Sequence, residues 1–322
     1  MRAVVRDDYG SAEVLRIEET RKPTPDEREV LVRVVAAGVD QGVWHLMMGM
    51  PYAMRLAGFG LRAPKNPLLG SDVAGHVEAV GTNAGAFQPG DAVFGTSGGS
   101  FAEYAVARAD RLAAKPDEVS FEQAAATPTS GYTALQAVRD HGKVEAGQRV
   151  LIIGAGGGVG TFAVQIAKAH GAVVTGVCGT AKTELVRSIG ADRVIDYTKE
   201  DFGAGRDRYD VILDIAGNRP ISHVRNALTP RGTLLIVGGE DAGNWLGMRR
   251  QLQAAALSPF IGQKLGFFIA KQRSDDLEEL RKLLEAGAVR AVVDRTFPLE
   301  EVPQAITYLR GGHALGKVVI TL

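Results

Sequence analysis

Five glycines within seven positions, Gly154, Gly156, Gly157, Gly158 and Gly160, are the residues of this chain best suited to chemistry, and that chemistry is the holding of phosphate. They follow the apolar run Val150-Leu-Ile-Ile and precede a helical pattern over 161–170 that lacks Pro and Gly. A strand, a tight turn and a helix start stripped of side chains predict backbone N–H groups, with Val159 among them, that receive a pyrophosphate on the helix dipole. The regular set Gly154, Gly157, Gly160 is G-x-x-G-x-x-G, not the familiar G-x-G-x-x-G, so a loop that merely turns the chain is the competing reading. The neighbours favour the first reading. Val159, Ala163, Ile166 and Ala167 share a helical face, Gly171 closes the helix, and 173–177 supplies another buried strand.

The segment after that strand reads Cys178-Gly179-Thr180-Ala181-Lys182. An Asp or Glu at the strand end would accept from the ribose 2′-hydroxyl of NAD and repel a 2′-phosphate. None stands in this slot. Thr180 is a hydrogen-bond donor and Lys182 a point charge, which makes NADPH the expected cofactor; a solvated lysine at a helix start is the alternative for Lys182. Gly217 and the pair Gly238-Gly239 follow later strands and are expected to approach the cofactor through backbone.

A second group of residues could line a substrate pocket. Trp44, Met47, Met48, Met50, Pro51 and Tyr52 form an apolar, Met-rich and aromatic stretch suited to a flat conjugated ketone or quinone. A packed amphipathic helix is the alternative for the same stretch. Phe267 and Phe268 border the pocket or lie on a dimer edge strand. No Ser/His/Asp triad and no compelling acid–base pair is visible, so no catalytic base is assigned.

The elements that must position these residues fall into two styles. From 150 onward, strands at 150–153, 173–177, 193–195, 210–215, 233–237 and 266–270 alternate with helical patterns at 161–170, 181–189 and about 221–228. Continuous Val/Ile/Leu strands alternating with helices predict an α/β doubly wound parallel sheet, a Rossmann arrangement. Earlier strands at 2–5, 30–36, 73–80, 92–94 and 102–106, separated by Gly and Pro clusters, predict an irregular β-rich domain. Residues 122–139 look helical, although Pro128 and Gly131 interrupt or tighten the run. A helix at 275–286 and strands at 290–297 and 317–321 suggest that the tail returns to the first domain. The expected division is 1–123, 124–270 and 271–322, with the ligand in a cleft between domains.

Composition narrows the partners. The 322 residues carry 37 basic and 37 acidic side chains, so electrostatics offers no case for nucleic acid or an anionic membrane. No apolar run approaches the roughly 20 residues needed to span a bilayer. The start reads directly as a strand rather than a secretory signal, and one cysteine excludes an intramolecular disulfide and a Cys-rich zinc site. A cytoplasmic protein is expected.

Several segments, in order along the chain, carry a family resemblance. They are Val34-Val-Ala-Ala-Gly-Val-Asp40, Gly70-Ser-Asp-Val-Ala-Gly75-His-Val-Glu-Ala-Val-Gly81, Phe87-Gln-Pro-Gly-Asp91-Ala-Val-Phe-Gly95, Gly99-Ser-Phe-Ala-Glu-Tyr104, the glycine loop, Gly190-Ala-Asp-Arg-Val-Ile-Asp-Tyr197 and Gly316-Lys-Val-Val-Ile320. The chain resembles the medium-chain dehydrogenase/reductase superfamily, within it the zinc-independent quinone oxidoreductase-like branch. The resemblance implies a GroES-like catalytic domain formed by both chain ends around a Rossmann NADP-binding domain, often as a homodimer. It places Asp40, where many relatives carry Asn, beside the nicotinamide ribose. It places Thr133 at the nicotinamide end, Tyr197 at the 2′-phosphate and Lys317 near the cofactor, or else on the surface of a strand. Zinc enzymes of the superfamily carry Cys near Asp40 and Gly-His-Glu where this chain has Gly70-Ser71-Asp72. Those ligands and the four-Cys lobe are missing, His45 and His76 match no ligand pattern, and no zinc is expected.

The expected function is zinc-independent, NADPH-dependent reduction of a quinone or an α,β-unsaturated carbonyl by hydride transfer. An NADPH-binding redox sensor or structural protein with little turnover would keep every cofactor residue and lose only chemistry. A zinc-free ketone or alcohol oxidoreductase would need a donor to the carbonyl oxygen that the sequence does not reveal.

Overall fold

The computed structural model describes residues 1–85, 87–217, 219–238 and 248–322. Contacts divide these into two units: Met1–Tyr132 with Gln272–Gly287 and Ala291–Leu322, and Thr133–Lys271 with Ala288–Arg290. Among the described residues no helix is long and apolar enough to cross a membrane.

The first unit opens with a small antiparallel pair, β1 (Arg2–Val5) and β2 (Arg16–Glu19). Its main sheet is built on β3 (Glu29–Val39), whose buried Val30, Val32, Val34, Ala37 and Val39 anchor the core. Helix α1 (Gln41–Met48) follows at once, and then β4 (Asp72–Val80), β5 (Ala92–Thr96), β6 (Tyr104–Arg108) and β7 (Leu112–Ala114). The run read as one interrupted helix over 122–139 is in fact several pieces. Helix α2 (Phe121–Ala125) starts at a reciprocal cap: the Gln123 N–H donates to Ser120 Oγ at 3.2 Å and the Ser120 N–H donates to Gln123 Oε1 at 3.1 Å. Helix α3 (Pro128–Leu135) begins at Pro128 itself, where the missing N–H is harmless, and a wider π turn over Gln136–His141 ends the run. Pro128 therefore starts a helix instead of breaking one.

The second unit holds a six-stranded, wholly parallel sheet, as the alternating pattern predicts. Its strands are β8 (Arg149–Ile153), β9 (Val173–Cys178), β10 (Arg193–Asp196), β11 (Tyr209–Asp214), β12 (Leu228–Ile236) and β13 (Lys264–Phe267). They lie in the order β10-β9-β8-β11-β12-β13. Helices α4 (Gly158–Ala169), α5 (Thr183–Ser188), α6 (Ile221–Asn226) and α7 (Arg249–Leu257) connect or flank them. Strands covered on both faces need no alternation, which is why Val150, Leu151, Ile152, Ile212 and Leu213 are all buried. Strand order reverses between β8 and β11, and a doubly wound sheet receives ligands at the carboxyl ends beside such a switch.

The chain then returns to the first unit. Helix α8 (Ser274–Glu285), β14 (Val293–Pro298), α9 (Val302–Arg310) and β15 (Lys317–Thr321) complete it. The sheet order is β14-β15-β3-β4-β5-β7, with β6 paired to β3. β15 lies antiparallel to β3 with Val318 opposite Val39, so the last residues of the chain stand beside the residues just before Asp40. The result is an α/β protein with a Rossmann-like parallel sheet and a β-rich GroES-like domain.

Candidate functional site

The glycine loop lies at the switch point of the parallel sheet. β8 ends at Ile153, and Gly154 adopts φ +87°, a conformation that a side chain would strain. Gly160 is required by close approach: a Cβ there would lie 2.1 Å from the Gly154 carbonyl oxygen. Gly157 is the N-cap of α4 and supplies no side-chain cap. A Cβ on Gly157 would meet nothing closer than 3.5 Å. The first N–H groups of a helix have no intrahelical acceptor, so Gly158, Val159 and Gly160 present donors at a half-open, uncapped N-terminus. A cradle of this kind fits a dinucleotide pyrophosphate.

The structure places Lys182 against the glycine loop and Tyr197 against Gly179, just past β9. A Cβ on Gly156 would touch Lys182 Cβ at 2.8 Å, and a Cβ on Gly179 would touch the Tyr197 hydroxyl at 3.6 Å. Cys178 ends β9 and pairs in register with Asp196, which ends β10. The Thr180 hydroxyl, expected to face a ligand, donates instead to Asp196 Oδ2 at 2.6 Å. Asp196 also accepts from the Thr198 hydroxyl at 2.7 Å and lies 3.3 Å from Lys199 Nζ. Bonds from Thr180 and Thr198 hold its carboxyl below the usual range, so it is a carboxylate. The Thr180 hydroxyl is thus engaged by a carboxylate from the neighbouring strand, a partner that only the parallel register of Cys178 with Asp196 brings to it. Burial raises the Cys178 thiol to about 11, so it is no nucleophile.

At the ends of β11 and β12 the backbone is held by a helix. Arg250 of α7 donates to the Gly217 carbonyl and pairs with the buried Asp214 at 2.6 Å. Gln251 Nε2 donates to the Gly238 carbonyl at 3.3 Å. Gly217 and Gly238, just past the carboxyl ends of β11 and β12, are thus held by α7, a support that sequence reading did not recognise. Gly239 lies outside the described residues. Phe267, expected at a pocket, closes β13 opposite Ile236 and packs on the Rossmann core. Phe268 stacks on His141 with ring centroids 4.3 Å apart.

Within the first unit, Asp40 is the N-cap of α1 and accepts from the Val43 N–H at 3.1 Å. Capping accounts for one oxygen; Oδ2 is buried and has no hydrogen-bond partner. The apolar stretch after it is largely helical. Met47 is in the core, and Trp44 and Met48 are partly buried against that core. Arg310 lies over the Trp44 ring at 3.9 Å. Tyr52 follows the helix, half-buried beside Arg55. His45 Nδ1 lies 3.0 Å from the Met50 carbonyl and His76 Nδ1 3.3 Å from that of Gly90. Thr133 stands on α3.

Lys317 is not a surface strand lysine. It is buried, with its ammonium 3.6 Å from Asp72 Oδ2, and both side chains are almost wholly excluded from solvent. Thr129 clamps Asp72 from α3, its hydroxyl donating at 2.5 Å and its N–H at 3.1 Å. Burial pushes the Asp72 carboxyl up to about 7; Lys317 opposes the rise and Asp40 adds to it by like-charge repulsion. Asp72, Lys317 and Asp40 thus form a buried charge cluster that was invisible as a unit, because its members are far apart in sequence.

Comparison with known proteins agrees with this architecture. Residues 26–117 match the family described as alcohol dehydrogenase GroES-like domain, and 189–320 match the family described as zinc-binding dehydrogenase. Human quinone oxidoreductase is 32% identical over 333 residues, covering 100% of this chain and 98% of that protein. The 2-methylene-furan-3-one reductase of Solanum lycopersicum is 33% identical, covering 99% of this chain and 79% of that protein. The solved structure of Escherichia coli quinone oxidoreductase complexed with NADPH superposes with a TM-score of 0.84 at 25% identity, covering 100% of both chains. Fold and site define a two-domain dehydrogenase with a Rossmann-like sheet. The chain belongs to the medium-chain dehydrogenase/reductase superfamily, in its quinone oxidoreductase-like branch.

Proposed function

We propose that this protein is an NADPH-dependent oxidoreductase that reduces quinones or α,β-unsaturated carbonyls without zinc. The observation that carries the reading is the uncapped N-terminus of α4 at the sheet's switch point, with Lys182 packed against Gly156 of the same loop and Tyr197 against Gly179. The names of the human and tomato relatives support the substrate classes, and the NADPH of the E. coli structure supports the cofactor. Bound NADPH supplies the hydride. Gly158, Val159 and Gly160 would hold its pyrophosphate by N–H donation, and Lys182 and Tyr197 its 2′-phosphate. Asp40 would accept from ribose hydroxyls, with Thr133 at the nicotinamide end. Trp44, Met48 and Tyr52 would line the acceptor, and Phe267 would buttress the sheet edge. Positioning then supplies much of the rate, since aligned reactants account for about 7–11 kcal/mol of barrier.

The test is NADPH oxidation followed optically with quinones, enones and simple ketones; turnover of simple ketones alone would overturn the proposal. Lys182→Ala combined with Tyr197→Phe is expected to lower kcat/KM with NADPH by about 10–100-fold, the value of a charged hydrogen bond. Activity with NADH is expected to move far less. Equal losses with the two cofactors would remove Lys182 and Tyr197 from the phosphate site.

The donor set supports the zinc-free part of the proposal. Among the described residues no three His, Cys, Asp or Glu side chains stand together so as to hold a metal ion. Tetrahedral zinc needs three or four such ligands. Dialysis against a strong chelator is expected to leave quinone reduction unchanged; recovery of lost activity on adding zinc would contradict this.

A further inference from the structure

The parallel sheet has a second pole. At the amino ends of β8, β11, β12 and β13, opposite the glycine loop, a cavity of about 540 Å³ opens to solvent. Small-molecule pockets span about 300–1,000 Å³, so the size suits a compact ligand. Doubly wound sheets receive the cofactor at the carboxyl ends of their strands, and this cavity is therefore no part of the phosphate cradle.

Strand pairing explains how its lining comes together. Val211, Thr233 and Lys264 are neighbours in register across β11, β12 and β13. From Tyr209 to Val211, β11 advances two residues, while β12 runs from Leu228 to Thr233 over the same step. The surplus residues 229–232 leave the ladder as a bulge, which brings Thr229 and Arg231 to the cavity.

The wall is strongly positive. Lys143, Arg231 and Lys264 come from three separate segments, and all three are exposed residues of the lining. Among the described residues none of these cationic groups has an ion-pair or hydrogen-bond partner. One carboxylate, Asp210, lines the same wall, and its Oδ2 already accepts from the Arg149 N–H at 2.9 Å. A cleft lined mainly by one sign of charge concentrates ions of the other.

Lys143 also sits where a lysine is conformationally unfavourable. It follows Gly142, the C-cap of the π turn, and has φ +48°. That position ordinarily takes glycine, because a side chain strains left-handed backbone. The carbonyls ending the turn favour one nearby cation. They do not account for Arg231 and Lys264, which come from other strands.

We propose that this cavity binds a small molecule through a phosphate monoester. Three cations against one carboxylate leave about two positive charges, matching the roughly −1.5 to −2 of such a group at neutral pH. Cations from separate segments can surround a tetrahedral phosphate, whereas a planar carboxylate is best met by a single guanidinium fork. The proposal is independent of the reductase reading, since no residue of the lining belongs to the cofactor or acceptor sites.

The test is calorimetric titration with phenyl phosphate, and with benzoate as the planar control. All titrations use the full chain carrying Gly157→Asp, whose added carboxylate repels phosphate from the glycine loop. Phenyl phosphate is expected to bind saturably, one per chain, and benzoate at least about tenfold more weakly. Adding Arg231→Gln with Lys264→Gln, both at exposed positions, is expected to weaken phenyl phosphate at least about tenfold, as loss of charged hydrogen bonds does. Lys143→Gly is expected to weaken it as well, with a melting temperature at or above that of the parent chain, because the strain is relieved as the charge is lost. Absence of saturable binding, or an affinity unchanged in either variant, overturns the site. Equal affinity for benzoate overturns the phosphate assignment.

Discussion

Replacing Lys317 by methionine is expected to lower the unfolding free energy by about 3–5 kcal/mol, the usual effect of removing one partner of a buried ion pair. The ammonium is the only cation within salt-bridge distance of Asp72 among the described residues, and neither group can turn to water. Asp72→Asn in the same chain should restore part of the loss, because no unpaired charge then remains. Urea unfolding followed by circular dichroism measures both; a Lys317→Met variant within 1 kcal/mol of wild type, a margin about the worth of an exposed pair, would show that the pair is not a structural one.

The same cluster makes a pH prediction. Burial raises the Asp72 carboxyl, so the folded chain keeps this proton to higher pH than the unfolded chain does. Its contribution to stability is complete below the ordinary carboxylate pKa of about 4 and is lost as pH rises through about 7. Wild type is thus expected to lose stability from this group between those values, and Asp72→Asn to flatten that slope. Lys317 opposes the rise, so Lys317→Met should carry the loss to higher pH. A slope unchanged in Asp72→Asn would assign the titration to another group.

Gly157→Asp is expected to separate folding from cofactor binding. Gly157 has φ −93° and ψ 178°, which any residue adopts, and no neighbouring atom within 3.5 Å of an added Cβ. An Asp at this N-cap can accept from the first free N–H groups of α4 and complement the dipole, adding a few tenths to about 1 kcal/mol of stability. The same carboxylate occupies the donors proposed for the pyrophosphate and repels it. Losing two charged hydrogen bonds corresponds to at least about a 100-fold weaker Kd for NADPH. A melting temperature at or above wild type with NADPH binding abolished, by calorimetry, is the expected pair of results. Retained NADPH affinity would place the pyrophosphate elsewhere.

The parallel sheet was legible in the chain because its strands are buried on both faces. Continuous apolar runs such as Val150-Leu-Ile-Ile announce themselves without any partner, and glycines mark where β8 hands over to α4. The order of the GroES-like segments was legible through local motifs. Other elements gave weaker signals. β2 (Arg16–Glu19) is wholly exposed, and β12 begins at Leu228, where its register with β11 is irregular before Thr233 across a stretch that includes Pro230. Helix α7 gives no local sign that its polar Arg250 and Gln251 support the strand ends, because their partners lie 33 and 13 residues earlier.

Sequence by itself determined the fold class and the glycine turn that joins β8 to α4, since each depends on residues close together in the chain or on a regular alternation. Only tertiary structure decided what the isolated polar residues do. Thr180 met Asp196 through parallel pairing, and Lys317 met Asp72 through the return of β15 to β3. The physical reason is the same in each case. A buried charge takes its role from the groups it faces, and those come from segments that only folding brings together.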